Sequence, residues 1–70
     1  MASTEPYIEL NVFLKKHNLA TTGGQAKVII QSGAVKVNKE IETRNRKKLH
    51  ANDIVEFENK KYKVAEELCR

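Results

Sequence analysis

The spacing of apolar residues changes once along this chain, at Gly33, and that change decides which folds are open to it. Before Gly33, Leu10, Phe13 and Leu14, and then Ala26, Ile29 and Ile30, recur three and four residues apart, the spacing that lines one face of a helix. After it, Val35 and Val37 flank Lys36, Val55 and Phe57 alternate with Ile54 and Glu56, and Tyr62 and Val64 alternate with Lys61 and Lys63. That period of two belongs to strands. Helices first and strands afterwards, without interleaving, predict an α+β architecture: a two-helix hairpin packed on a small, mostly antiparallel sheet of three to four short strands. Neither layer can bury its apolar surface alone, so the helices must cover one face of the sheet.

Local signals set the boundaries. The first helix is expected over roughly 9 to 17, with Lys15, Lys16 and His17 in the last turn, where the helix dipole favours positive charge, and Asn18 as a left-handed stop. Tyr7 and Ile8 before it read as a short extended piece that packs Ile8 on the core. Thr22-Gly23-Gly24-Gln25 has the form of a capping box and predicts a second helix that ends at Gly33. Asn38-Lys39 then turns one strand hairpin and Glu58-Asn59-Lys60 a second, although Lys39 stands where glycine would turn the chain at lower cost. Between the hairpins, Arg44, Arg46, Lys47 and Lys48 put four positive charges into five residues, with Leu49 as the apolar anchor of an expected surface loop.

Seventy residues hold one hydrophobic core, so a single domain spanning 1–70 is expected, its core about 7–64 and its ends, 1–6 and 65–70, flexible. Cys69 is the only cysteine and cannot close a disulfide within the chain, which suits a reducing compartment. The opening six residues carry no Lys or Arg and read as no export signal, and the uncharged, apolar-rich stretch 28–35 is far too short to span a bilayer. A cytoplasmic, monomeric protein without membrane contact is the expectation. Thirteen basic against nine acidic residues give a net charge of +4, and the clustering at 44–48 implies a local positive field. By charge alone that run is better explained as a solvated loop.

Taken in order, Leu10 with Phe13-Leu14-Lys15, Gly24-Gln25-Ala26-Lys27, Ile30 and Gly33, Val35-Lys36-Val37-Asn38, Arg44, Lys48-Leu49, and Asp53 with Val55 resemble the RNA-binding domain of the ribosomal protein S-four type, also called the alpha-L motif. The resemblance covers about 7–64 and is nearest to short stand-alone bacterial members. It implies that helix one, the start of helix two and the basic run form one RNA-binding face, and that the partner is structured RNA, ribosomal or transfer-RNA-like, or a ribosome-assembly particle. The chain departs from the pattern in two ways. Many members carry arginines where this chain has Gly23 and Gly24, and glycine is common where Lys39 and Asn52 stand.

The candidate RNA-binding residues are Lys16, Thr22, Gly23, Gly24, Gln25, Lys27, Lys36, Arg44, Arg46, Lys47 and Lys48. A helix start presents unpaired amides and partial positive charge, so bare glycine backbone there could receive a phosphate in place of the arginines. The competing explanation is that the glycines only ease a tight turn. Lys27 near the first turn of helix two opposes the dipole and gains nothing for helix stability. Arg44 and Arg46 offer planar forks to phosphate and Lys47 and Lys48 point charges. If the run were extended, Arg44, Arg46 and Lys48 would share one side. With Phe13, Phe57 and Tyr62 needed in the core and only Tyr7 to spare, base stacking is disfavoured, and recognition through phosphates and RNA shape is expected. No catalytic constellation, metal-ligand spacing, P-loop or cofactor motif is found, so no enzyme is expected. A protein-interaction adaptor that turns the same basic face to an acidic partner is the alternative, and duplex DNA binding ranks third.

Overall fold

The computed structural model describes residues 6–69. Strand β1, Ile8–Glu9, runs directly into helix α1, Leu10–Lys16, and helix α2 spans Gly23–Gln31. Five strands follow: β2 Val35–Val37, β3 Glu40–Ile41, β4 Lys48–Leu49, β5 Ile54–Phe57 and β6 Lys60–Lys63, before a closing 3-10 turn over Glu66–Leu68. The main sheet is antiparallel in the order β3-β2-β5-β6, four short strands where three to four were expected. A second pairing, invisible in the periodicity, joins β1 to β4, with Ile8 opposite Leu49 and Glu9 opposite Lys48.

Most of the core comes from residues that the two periods select, joined by Ile8 and Leu49. Leu10, Phe13 and Leu14 of α1, Ala26 and Ile30 of α2, Val35, Val37 and Val55 of the sheet, and Ile8, Leu49 and Val64 are buried together. Phe57 and Tyr62 are only partly buried against this cluster. Ile41 is 62% exposed, because its register opposite Lys36 puts it on the face of the sheet turned away from the helices. Leu68 and Cys69, in and after the closing 3-10 turn, also pack on the core, which thus reaches past the expected boundary at 64.

Backbone geometry follows the residue types. Asn18 and Gly33 take left-handed φ angles of 60° and 84°, which end α1 and α2. Asn38 and Lys39 have φ of 52° and 74°, and Glu58 and Asn59 have 54° and 66°, the paired positive values that match the twist of a tight hairpin. Asp53 pins the approach to β5: its carboxylate accepts from the His50 N–H at 2.8 Å and from Asn38 Nδ2 at 3.3 Å, while the Asn38 side-chain oxygen accepts from the Ile54 N–H at 3.0 Å.

Candidate nucleic-acid interface

The start of α2 is an open set of donors. Thr22 caps the helix by accepting from the Gln25 N–H at 3.1 Å. Gln25 does not return the bond to Thr22, as a full capping box would; its side-chain oxygen accepts from the N–H and hydroxyl of Thr21, at 2.7 and 2.6 Å. The first helical amides, those of Gly23 and Gly24, have no carbonyl one turn back to meet them and no other partner among the described residues. Neither glycine has a positive φ, so the backbone does not require glycine at either position. Ease of turning is therefore not the reason for them, and two glycines in a helical turn cost stability relative to alanine. What they leave is uncovered backbone.

Two lysines flank that backbone. Lys15 Nζ lies 4.0 Å from the point where a Cβ on Gly23 would stand. Lys27 is one turn beyond Gly23 on the same exposed side of α2. Lys16, a candidate from sequence, is carried round the other flank of α1 and borders a shallow depression with Tyr7, Val12 and Leu68. The periodicity of α1 was legible, but which flank meets α2 depends on how the two helices pack, which is a tertiary fact.

The run from Arg44 to Lys48 docks at the opposite end of α1. Glu9, the residue before the helix, gives no side-chain cap. The loop backbone caps the helix instead: the Leu10 N–H donates to the Lys47 carbonyl at 2.8 Å and the Asn11 N–H to the Asn45 carbonyl at 3.1 Å. The segment turns at Asn45-Arg46, with the Lys47 N–H reaching the Arg44 carbonyl at 3.3 Å, so it is not extended and its side chains do not simply alternate. It sits at a helix N-terminus, where positive side chains gain nothing from the dipole.

The charges of this run are not all free. Arg44 Nε lies 2.9 Å from Glu42 Oε2 and its Nη2 donates to Oε1 at 3.3 Å. Arg46 Nε lies 3.3 Å from Glu9 Oε2. Both guanidinium groups stay mostly exposed, at 72% and 76%, whereas the carboxylates are largely covered, at 13% and 24%. The hydrogen bond from Arg44 holds the Glu42 carboxyl below its ordinary pKa, against the opposing effect of burial. Lys48 Nζ lies 5.1 Å from the centre of the Tyr7 ring. No carboxylate pairs with Lys47 among the described residues.

The start of α2 and the basic run therefore meet different ends of the same helix. They occupy the two ends of α1, whose seven residues span about 10 Å, and Lys15 and Asn11, one turn apart, share the helix flank between them. Lys36 is not part of this arrangement. Its neighbours Val35 and Val37 are buried toward the helices, so Lys36 emerges on the far face of the sheet.

Other reactive residues are accounted for by packing. The His17 ring lies tilted against Phe13 and Tyr62, with centroids 4.3 and 5.4 Å away. Burial first, then Asp53 and Glu66, push the Cys69 thiol above its ordinary pKa, the reverse of what a thiolate nucleophile requires. No group of three or more metal-ligating side chains is found among the described residues, and none of their helices is long and apolar enough to cross a membrane.

Comparison with known proteins agrees with this architecture. YbcJ of Escherichia coli K12, named there as a candidate RNA-binding protein, is 42% identical over 52 residues, which are 74% of each chain. YbcJ of Shigella flexneri matches to the same extent. The solution structure of the E. coli protein, described as revealing an alpha-L motif involved in RNA binding, superposes with a TM-score of 0.65 at 36% identity, covering 91% of this chain and 81% of that one. The two helices on short antiparallel strands are thus an alpha-L motif, and with residues 2–65 matching the S4 domain, this chain belongs to the S4 domain family.

Proposed function

We propose that this protein binds structured RNA, without catalysis, by laying the α1–α2 side of the molecule on phosphates. One observation carries the reading. The unpaired amides of Gly23 and Gly24, on helical backbone that has no need of glycine, stand between Lys15 and Lys27. A helix start of this kind favours an anion through its N–H groups and dipole together. Arg44, Arg46, Lys47 and Lys48 extend the positive surface past the other end of α1. Arg44 and Arg46 act there as oriented donors held by Glu42 and Glu9, each with further N–H groups to offer.

Phosphate contacts fix position and carry no base identity, so recognition rests on RNA shape. Ribosomal RNA or a ribosome-assembly particle in the cytoplasm, met by a protein monomer, is the partner that this reading favours. Binding of a folded RNA hairpin, followed across a salt series, tests it. Native protein should lose affinity steeply, with a log-log slope of about 0.7 to 0.9 per phosphate contact. A Lys15→Gln, Lys27→Gln variant and an Arg44→Ala, Arg46→Ala, Lys47→Ala, Lys48→Ala variant should each show a shallower slope. Slopes unchanged in both, or tight salt-resistant binding to an acidic protein with none to RNA, would overturn the reading in favour of an adaptor.

A further inference from the structure

The far face of the main sheet carries a second basic surface that the helix-side interface does not use. Cross-strand register places Lys36 opposite Glu56 and Glu56 opposite Lys61, with Ile54 opposite Lys63 in the next row. Val35, Val37, Val55 and Tyr62 alternate with these residues and pack on the core, so Lys36, Ile54, Glu56, Lys61 and Lys63 all face away from the helices. The β2–β3 turn adds Lys39 at the rim. Together Asn38, Lys39, Ile54, Glu56, Lys61 and Lys63 border a depression of about 370 Å³.

Four ammonium groups share this face with one carboxylate, and no ion pair joins Glu56 to any of them among the described residues. Lysines on β6 have a simpler explanation, since β6 is an edge strand and charge there discourages pairing with another chain. That explanation does not reach Lys36, which is on an interior strand, or Lys39. Lys39 holds a φ of 74°, a conformation that asparagine or glycine adopts more cheaply, so a side chain disfavoured by its own backbone supplies one of the four charges. Lys61 and Lys63 are spaced along the strand by about 6.6 Å, comparable with the spacing of successive phosphates, and the half-buried Ile54 leaves an apolar floor between charged rims.

We propose that this outer face holds a second segment of RNA backbone, so that one molecule bridges two RNA segments, one on the helix side and one on the sheet side. The inference rests on the RNA-binding reading of the helix side. Charge complementarity selects a polyanion, and the open, shallow surface suits a phosphodiester strand rather than a small ligand.

A capture assay tests it with the full chain: one folded hairpin is immobilised, and retention of a second, labelled hairpin is measured with and without protein. Native protein should retain the second hairpin. A Lys39→Asn, Lys61→Gln, Lys63→Gln variant should lose about tenfold or more of that retention at physiological salt, while its affinity for a single hairpin changes by less than about threefold. Asparagine suits the left-handed turn position that Lys39 occupies, so the variant should melt no lower than native protein by circular dichroism. As a second measurement on native protein, amide resonances of Ile54, Lys61 and Lys63 should shift when a second equivalent of hairpin is added after the first. Native protein that binds one hairpin and retains no second, or bridging that survives the triple variant, would overturn the inference and leave the helix-side reading standing. Failure to bind any hairpin would end both.

Discussion

The start of α2 and the 44–48 run carry charge of the same sign, yet they hold it differently. At α2 the donors are backbone amides without partners among the described residues, flanked by lysines that none of those residues' carboxylates pairs with. In the run, both arginines are already met by carboxylates, one of them two residues away and the other 37. The second region is richer in formal charge and the first in uncommitted donors. Counting basic residues in a sequence therefore overstates what a loop can offer and understates what a bare helix start can.

The largest expected effect removes one side of this comparison. Leu49 is fully buried and pairs through β4 with Ile8, so Leu49→Ala should cost about 2–5 kcal/mol in chemical denaturation and loosen the run from α1. A loss under about 1 kcal/mol would mean, on the same principle, that the run is not anchored there. Next in size is a change at α2 with opposite effects on folding and binding. Gly24 has room for a side chain, its would-be Cβ meeting nothing nearer than Thr22 Oγ1 at 3.9 Å. Gly24→Asp should raise the melting temperature, since it removes a helical glycine and puts an acid in the first turn, yet weaken hairpin binding about tenfold or more. Gly24→Ala should also raise stability but leave binding nearly intact. Equal RNA affinity for the two variants would show that the amides take no phosphate.

A smaller effect sharpens the other side. Glu42→Gln releases Arg44 and should strengthen hairpin binding a few-fold at low salt, with a steeper salt slope. Acid should act in the same direction. The folded-state pKa of Glu42 is depressed, so its contribution to stability is complete above the ordinary carboxylate pKa and is lost as pH falls through the lower folded value. Denaturation curves from about pH 6 to about pH 3 should show native protein losing more stability than Glu42→Gln. The smallest expected effect is that of Lys36→Ala on single-hairpin affinity, because Lys36 faces away from the helices.

The elements of the fold were legible where local chemistry governs them. Asn18 and Gly33 mark helix ends, Thr22 marks a start, and alternation in 35–37, 54–57 and 62–64 marks strands, each through backbone preference or period. The β1–β4 pairing was not legible, since two-residue strands have no period to read. The site was legible in part. Glycines and lysines at α2 were visible as residue types, but the placement of Lys15 beside Gly23 and of Lys16 on the other flank, of Lys36 behind the sheet, and the Glu9–Arg46 pair all depend on packing between distant segments. The Glu42–Arg44 pair is the exception: its spacing of two residues was there to be noticed.

Amide chemical-shift mapping of the native protein with one equivalent of a folded RNA hairpin tests the central claim most directly. The amide resonances of Gly23 and Gly24 should move furthest, followed by those around Lys15, Lys27 and Asn45 to Lys48. Saturable binding that leaves Gly23 and Gly24 unmoved would contradict the account.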